Sequence, residues 1–316
     1  MTEISFEDIR GAQARIGGRI HRTPVLTSAR LDELAGARLF FKCENFQKTG
    51  SFKARGAANA VFSLADAEAA RGVATHSSGN HGAALAWAAR QRGVPAFVAM
   101  PRTASQFKLA SVERLGGRVV LCEPTHRARE EAAERIVRET GAAFIHPFND
   151  ARVIAGQGTA ALELLTEVPD LDAVVCPVGG GGLLAGTAIA ARALRPAIRV
   201  FAGEPEGAAD ASRSFSSGVR QAVEHPSSIA DGLLAFVGDV TFPIIRRHAD
   251  GIATVSDAAI AGAMRQIWEI MKIVVEPSGA VAFAALAAGR LEVAGLRVGV
   301  ILSGGNVELG RTAGAP

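Results

Sequence analysis

Four short segments set glycines beside side chains that can do chemistry: TGSFKARG at 49–56, HSSGNHG at 76–82, PVGGGG at 177–182 and LSGGN at 302–306. Lys53 follows Phe52 and precedes a helical pattern. A lysine in that setting is either a solvated surface residue or, with a lowered pKa, a nucleophile toward an aldehyde. Ser77, Ser78, Asn80 and His81 offer hydroxyls, an amide and, with Gly79, the first amides of a helix. That set suits a carboxylate, and it equally suits an elaborate N-cap. Gly179, Gly180, Gly181 and Gly182 lie between the run AVVC and the pattern LLAGTAIAARAL. Successive glycines let backbone amides approach an anion, and the helix start adds a favourable dipole. Four in a row exceed the needs of a turn, which favours a phosphate cradle over simple close packing. Ser303 and Asn306 end the run VGVIL, either as a plain turn or as further site residues.

A rival use of the same turn is dinucleotide binding. Gly180-x-Gly182-x-x-Ala185 matches the Rossmann fingerprint, and Glu204 lies about twenty residues on, where a ribose-binding acid belongs. That reading, a nicotinamide-dependent dehydrogenase, leaves Lys53, Asn80 and Ser303 without a role.

The elements that must position these residues alternate. Short apolar runs at 38–42, 96–100, 118–122, 173–176, 199–202 and 298–302 read as buried parallel strands. Between them, 80–91, 104–115, 128–139, 182–194 and 257–271 read as helices. The order predicts an α/β fold with mainly parallel sheets flanked by helices. The stretch 71–147 reads as a small inserted domain of alternating strands and helices. Residues 1–70 and 148–316 then form a large domain.

Composition bounds the function. The 316 residues are 48% hydrophobic and 21% charged, ordinary for a globular enzyme and unlike a disordered or collagen-like chain. Lys+Arg 34 against Asp+Glu 31 gives a net charge of +3 with no basic stripe, so a nucleic-acid partner is not expected. Cys43, Cys122 and Cys176 are far apart, which points to a reducing cytoplasm rather than a disulfide framework, and no pair has zinc-ligand spacing. There is no signal peptide and no apolar run near ~20 residues, so no membrane span is expected.

Taken together and in order, the motifs resemble the fold-type II pyridoxal-phosphate enzymes, in particular the threonine dehydratase and serine racemase family. They include HRTPVLTSARLDE, FKCENFQKTGSFKARGA, THSSGNHG, HPFNDARVIAGQGTAALEL, CPVGGGGLLAG, GEPEGAAD, SIADGL, VVEPSGAVA and LSGGN, and they run through nearly the whole chain. The resemblance implies a two-domain fold like the tryptophan synthase β chain, and pyridoxal 5'-phosphate held by Lys53 as a Schiff base. Phe52 would pack beside the cofactor ring, Asn80 would bond its 3-hydroxyl, and Ser303 would meet its nitrogen. The amides of Gly179, Gly180, Gly181, Gly182 and Leu183 would bind the phosphate. Ser77, Ser78, Gly79, Asn80 and His81 would take the substrate carboxylate. Glu204, the carbonyl of Ala208 and Asp210 match the family's divalent-cation site, and that donor set suits Mg²⁺ or another hard cation. A homodimer is implied as well.

The reaction the resemblance implies by default is conversion of L-threonine or L-serine to a 2-oxo acid and ammonia, by elimination of the β-hydroxyl and hydrolysis of the resulting enamine in water. Lys53 would take the Cα proton, and a hydroxyl at the ring nitrogen would disfavour transamination. Ser78 stands where the racemases of the family have serine, so it would deliver a proton to the opposite face of Cα. Arg129 matches an arginine near the substrate in racemase-like members. It would bind a second carboxylate, as in 3-hydroxyaspartate, or else lie on a helix surface near Glu130 and Glu134. The alternatives to the default are therefore a serine racemase and a 3-hydroxyaspartate ammonia-lyase. Two features depart from the family. The stretch Leu234-Ala235-Phe236 is more apolar than usual, which would favour a bulkier apolar substituent on the substrate. No regulatory domain follows residue 316, so feedback by isoleucine is not expected.

Overall fold

The computed structural model describes residues 4–309. Its strands are β1 (Val25–Leu26), β2 (Arg38–Cys43), β3 (Val73–His76), β4 (Ala96–Pro101), β5 (Gly117–Cys122), β6 (Ala143–Phe144), β7 (Ala173–Pro177), β8 (Arg199–Pro205), β9 (Gly251–Val255) and β10 (Arg297–Leu302). They form a six-stranded sheet in the order β1-β2-β10-β7-β8-β9 and a four-stranded sheet in the order β5-β4-β3-β6. The short β1 runs antiparallel to β2; the other named pairs are parallel. The α/β class with parallel sheets is as the alternation predicts.

The central strands of the larger sheet are buried along their length, as their unbroken apolar runs require. The expectation of a buried strand at 118–122 is corrected. β5 is the edge of the smaller sheet, and its middle residues are only partly covered, with Leu121 exposed. Its Val and Leu content mimics a central strand, but with nothing on one side the run keeps a wet face. Four strands fall outside the apolar runs read from the sequence: β9, whose burial is only intermediate over most of its length, the two-residue β1 and β6, and the four-residue β3.

The helices match expectation within a few residues, at Asn80–Arg92, Gln106–Arg114, His126–Thr140 and Gly182–Leu194. The expected helix 257–271 is a helix only over Asp257–Gln266. It widens into a π turn over Ile267–Met271 and stops at Lys272, which takes a left-handed φ of 59°.

Helix Lys53–Ser63 crosses helix Ala151–Glu167 at glycines. A Cβ on Gly156 would stand 2.6 Å from the Cα of Gly56 and 2.7 Å from the carbonyl oxygen of Arg55. Below this crossing lies a fully buried ionic cluster. Arg55 donates to both carboxylate oxygens of Glu44 at 2.7 and 2.8 Å, and to both oxygens of Glu163 at 2.8 Å. Lys42 on β2 donates to Glu163 at 2.7 Å and to the carbonyl of Thr23 at 2.7 Å. Burial pushes the Glu163 carboxyl up, but the bonds from Arg55 and Lys42 outweigh it and hold the group below its ordinary value. Removing one charge from such a cluster strands its partners in a dry interior. Glu163→Gln is therefore expected to cost roughly 3–5 kcal/mol of stability, read as a lowered urea midpoint in equilibrium unfolding; an unchanged midpoint would refute this account of the cluster.

Candidate active site

Parallel strands place their carboxyl ends together, and ligands in such sheets bind beyond those ends. Here β3 runs out into Ser77, β7 into Gly179 and β10 into Ser303. These ends open on one cavity of about 750 Å³, within the range of small-molecule sites. Phe52, Lys53, residues 76–81, Arg129, residues 179–183 and Ser303 all line it.

Lys53 opens its helix, with Nζ 2.8 Å from the carbonyl oxygen of Pro147 and 5.2 Å from the centre of the Phe52 ring. Burial disfavours the ammonium and brings the amine down from 10.5 to about 8. Lys53 is therefore not a solvated surface residue: it is part-buried in the cavity wall.

The glycine turn is shaped as much by protein as by any ligand. A Cβ on Gly180 would run into the Phe148 ring, and one on Gly179 would meet the backbone of Leu233 at 2.9 Å. Gly181, the N-cap, has a left-handed φ of 89°. The inference that four glycines exceed the needs of packing is corrected, because these three are each demanded by packing or by backbone angle. The turn nonetheless leaves an anion site. The carbonyl of Gly180 is held by the Thr241 hydroxyl at 2.8 Å. The N-cap has no side-chain acceptor, so the amides of Gly182 and Leu183 begin a helix without intrahelical partners.

The 76–82 turn is partly self-satisfied. The Ser77 hydroxyl accepts from the amides of Gly79 at 3.2 Å and Gly82 at 3.0 Å, so it does serve as a cap. Ser78 lines the cavity on the same turn. His81 is buried, with Nε2 3.4 Å from the carbonyl oxygen of Ile145; burial, then the charge of Lys53, holds it well below the ordinary imidazole value. Its main chain, at the start of helix Asn80–Arg92, is what the turn offers an anion.

Sequence reasoning assigned no role to Glu276. It is buried, accepts from Asn80 Nδ2 at 2.7 Å, and is pushed up to about 8 by burial and by Asp231. Asn306 Nδ2 donates to Asn80 Oδ1 at 2.9 Å, which fixes which way the Asn80 amide points. Ser303 is buried with its hydroxyl 3.4 Å from the carbonyl of Ser278. Phe148 and Lys108 were likewise missed, and both line the cavity. Their only signal was membership in the motif HPFND and in an amphipathic helix.

Arg129 faces the cavity rather than the outer face of its helix. Its Nε is buried without a hydrogen-bond partner, and among the described residues no ion pair is recorded for it. Phe236 and Ala235 also line the cavity, so the apolar stretch at 234–236 is part of the site.

Residues 16–304 match the family model described as pyridoxal-phosphate dependent enzyme. The chain belongs to this family. It is 53% identical over 305 residues to a beta-hydroxyaspartate dehydratase of Paracoccus denitrificans, covering 96% of this chain and 97% of that one. It is similar to the structure of maize serine racemase, with a TM-score of 0.96 and 45% identity over 98% and 96% of the two chains. It is also similar to the serine racemase structure from Dictyostelium discoideum, with a TM-score of 0.92 and 49% identity over 96% and 99%. The protein is thus a fold-type II pyridoxal-phosphate enzyme, as the motifs suggested. The dehydrogenase reading falls. Both oxygens of Glu204 accept from the amides of Ala211 and Ser212, at 2.7 and 2.8 Å, so the acid caps helix Asp210–Ser217, and it is the family match that removes the ribose role.

The residues present fit the cofactor. An amine of lowered pKa, orphaned helix-start amides and a polar Asn80 share one cavity of suitable size. Capture of pyridoxal phosphate by the cofactor-free protein should depend on the neutral amine. Its rate should rise with a midpoint near pH 8 and flatten above it, well below the 10.5 of a free lysine. Borohydride trapping across pH, with Lys53→Ala as the blank, checks this; a midpoint near 10.5 would refute the burial argument.

Proposed function

We propose that this enzyme deaminates a 3-hydroxyaspartate: water is eliminated first and taken up again when the resulting imine hydrolyses, so the net products are the corresponding 2-oxo dicarboxylic acid and ammonia. The observation that carries the reading is Arg129, a guanidinium in the cavity wall with a buried, unsatisfied Nε. An unmet buried donor is costly, and a substrate carboxylate would satisfy it. The Paracoccus denitrificans relative named a beta-hydroxyaspartate dehydratase supports the same choice. L-Threonine and L-serine, the default from the motifs, have no group for Arg129. A bulky apolar substituent would suit residues 234–236 but would likewise leave the guanidinium unmet.

The residues would divide the work as follows. Lys53 and Phe52 would flank the cofactor, Asn80 and Ser303 would hold its ring, and Gly179, Gly180, Gly181, Gly182 and Leu183 would hold its phosphate by main-chain amides. The cofactor supplies the electron sink that makes the Cα proton acidic. Lys53, with its lowered pKa, takes that proton as general base. The turn formed by Ser77, Ser78, Gly79, Asn80 and His81 orients the α-carboxylate, and Arg129 orients the β-carboxylate. The β-hydroxyl departs as water with a proton. The released enamine tautomerises and hydrolyses in solution, giving the 2-oxo acid and ammonia.

A second reading, racemisation of serine, is favoured by Ser78, whose place in the cavity suits proton delivery to the other face of Cα. The maize serine racemase structure supports it. We also take Glu204, Ala208 and Asp210 as the holders of a divalent cation such as Mg²⁺. Burial pushes Glu204 up to about 8 and Asp210 to about 6, and the two carboxylates and the Ala208 carbonyl are oxygen donors of the kind a hard cation takes. The four-stranded unit within 71–147 would act as the smaller domain. The buried, unpaired cysteines accord with a reducing cytoplasm, and the family resemblance supports a homodimer.

Two measurements test these assignments. Arg129→Met should lower kcat/KM for 3-hydroxyaspartate by about tenfold to a hundredfold, the usual range for a lost charged hydrogen bond, and change that for L-serine little. Equal losses on both substrates would remove the dicarboxylate reading. Mg²⁺ should raise the Tm of the wild type and not that of Glu204→Gln; equal shifts would place the cation elsewhere.

A further inference from the structure

Lys108 has no part in the reading above, yet it lies over the carboxylate-binding turn. It is on helix Gln106–Arg114 and lines the cavity. Its stem covers the open side of Gly79: a Cβ built there would stand 3.4 Å from Lys108 Cδ and 3.6 Å from Nζ. Gly79 is the N-cap of helix Asn80–Arg92 and offers no side-chain acceptor; the Ser77 hydroxyl covers the amide of Gly82, which leaves those of Asn80 and His81 without an intrahelical partner. A cation and a helix start therefore converge on one spot, and both favour an anion.

The Lys108 ammonium is at present paired with Asp231, on a different loop lining the cavity. The Asp231 side chain is 55% exposed, and partly wet ion pairs are weak. The loop bearing Asp231 is tied down, since the amide of Gly232 donates to the Ser278 hydroxyl at 3.0 Å. The lysine stem is the flexible partner.

We propose that Lys108 is a substrate-binding residue that takes the α-carboxylate, and that Asp231 holds its ammonium until substrate arrives. The proposal rests on the reading that the α-carboxylate sits on the turn at 77–81. Arg129 then serves the β-carboxylate and Lys108 the group common to every amino acid. Asp231 competes with the substrate for one cation. A simple clasp between the two sides of the cavity would use the same pair differently, because there each partner helps closure.

The sign of two substitutions separates these roles. The probe is glycine, which has the α-carboxylate and no β-carbon, titrated into the holoenzyme and followed by cofactor absorbance. Lys108→Met should weaken glycine about tenfold or more, in line with a lost charged hydrogen bond. Lys108→Arg should keep it close to wild type. Asp231→Asn should tighten it, because the competitor is gone. Weakening by both Lys108→Met and Asp231→Asn would overturn the proposal in favour of a clasp, and no effect of Lys108→Met would overturn it outright. Should the wild type fail to turn over 3-hydroxyaspartate, the dicarboxylate reading falls while the glycine titration still decides the role of Lys108.

Discussion

The structure hangs on a guanidinium two residues from the reactive amine. Arg55 is wholly buried, and both edges of its fork are closed by carboxylates from distant parts of the chain, Glu44 and Glu163. Glu44 follows β2 and Glu163 lies in helix Ala151–Glu167, so a single side chain fixes the Lys53 helix against a strand end and a neighbouring helix. Such a planar, bidentate arrangement tolerates little displacement. Lys42 completes the balance of two cations and two anions, so the interior carries no net charge at this point. The Gly56–Gly156 contact permits the close approach that brings Arg55 and Glu163 together. Arg55, which does not line the cavity, therefore helps set where Lys53 stands.

The cavity combines two ways of handling anions. At the glycine turn and at the 76–82 turn, backbone amides at helix starts do the work, and these are rigid because the helices are buried. At Arg129 and Lys108 it would be done by long side chains, which adjust. In the proposed reading the rigid amides would hold the cofactor phosphate and seat the α-carboxylate, and the flexible cations would close on the substrate once it is there.

Much of this was legible in the sequence, for identifiable reasons. The alternation of apolar runs and amphipathic stretches gave the parallel sheets, because buried strands need unbroken hydrophobic runs. The glycine-bearing turns singled out Lys53 and the residues at 76–82 and 179–183, and the resemblance of the motifs to the fold-type II family joined them into one expected site. Where reading failed, tertiary contacts decided. Gly180 is a glycine because Phe148 lies on it, and no local pattern announces a ring from the far side of helix Ala151–Glu167 and β7. Glu276 gained a role only once Asn80 faced it. Arg129 and its acidic neighbours looked like a solvated helix face until the helix was set against the cavity. β5 read as central because composition reports apolarity and not the number of neighbouring strands.

The segment 147–149 touches the site at successive residues. The Pro147 carbonyl accepts from Lys53, the Phe148 ring backs Gly180, and Asn149 Oδ1 accepts from the amide of Val240 at 2.9 Å. Covalent chain cannot stretch, so these contacts act as a ruler laid along the cavity. One mark sits at the amine and the next at the anion-binding turn. In the proposed reading, the spacing between the amine and the phosphate-binding turn would thus follow from peptide geometry, and a ligand of another length would meet one mark and miss the other.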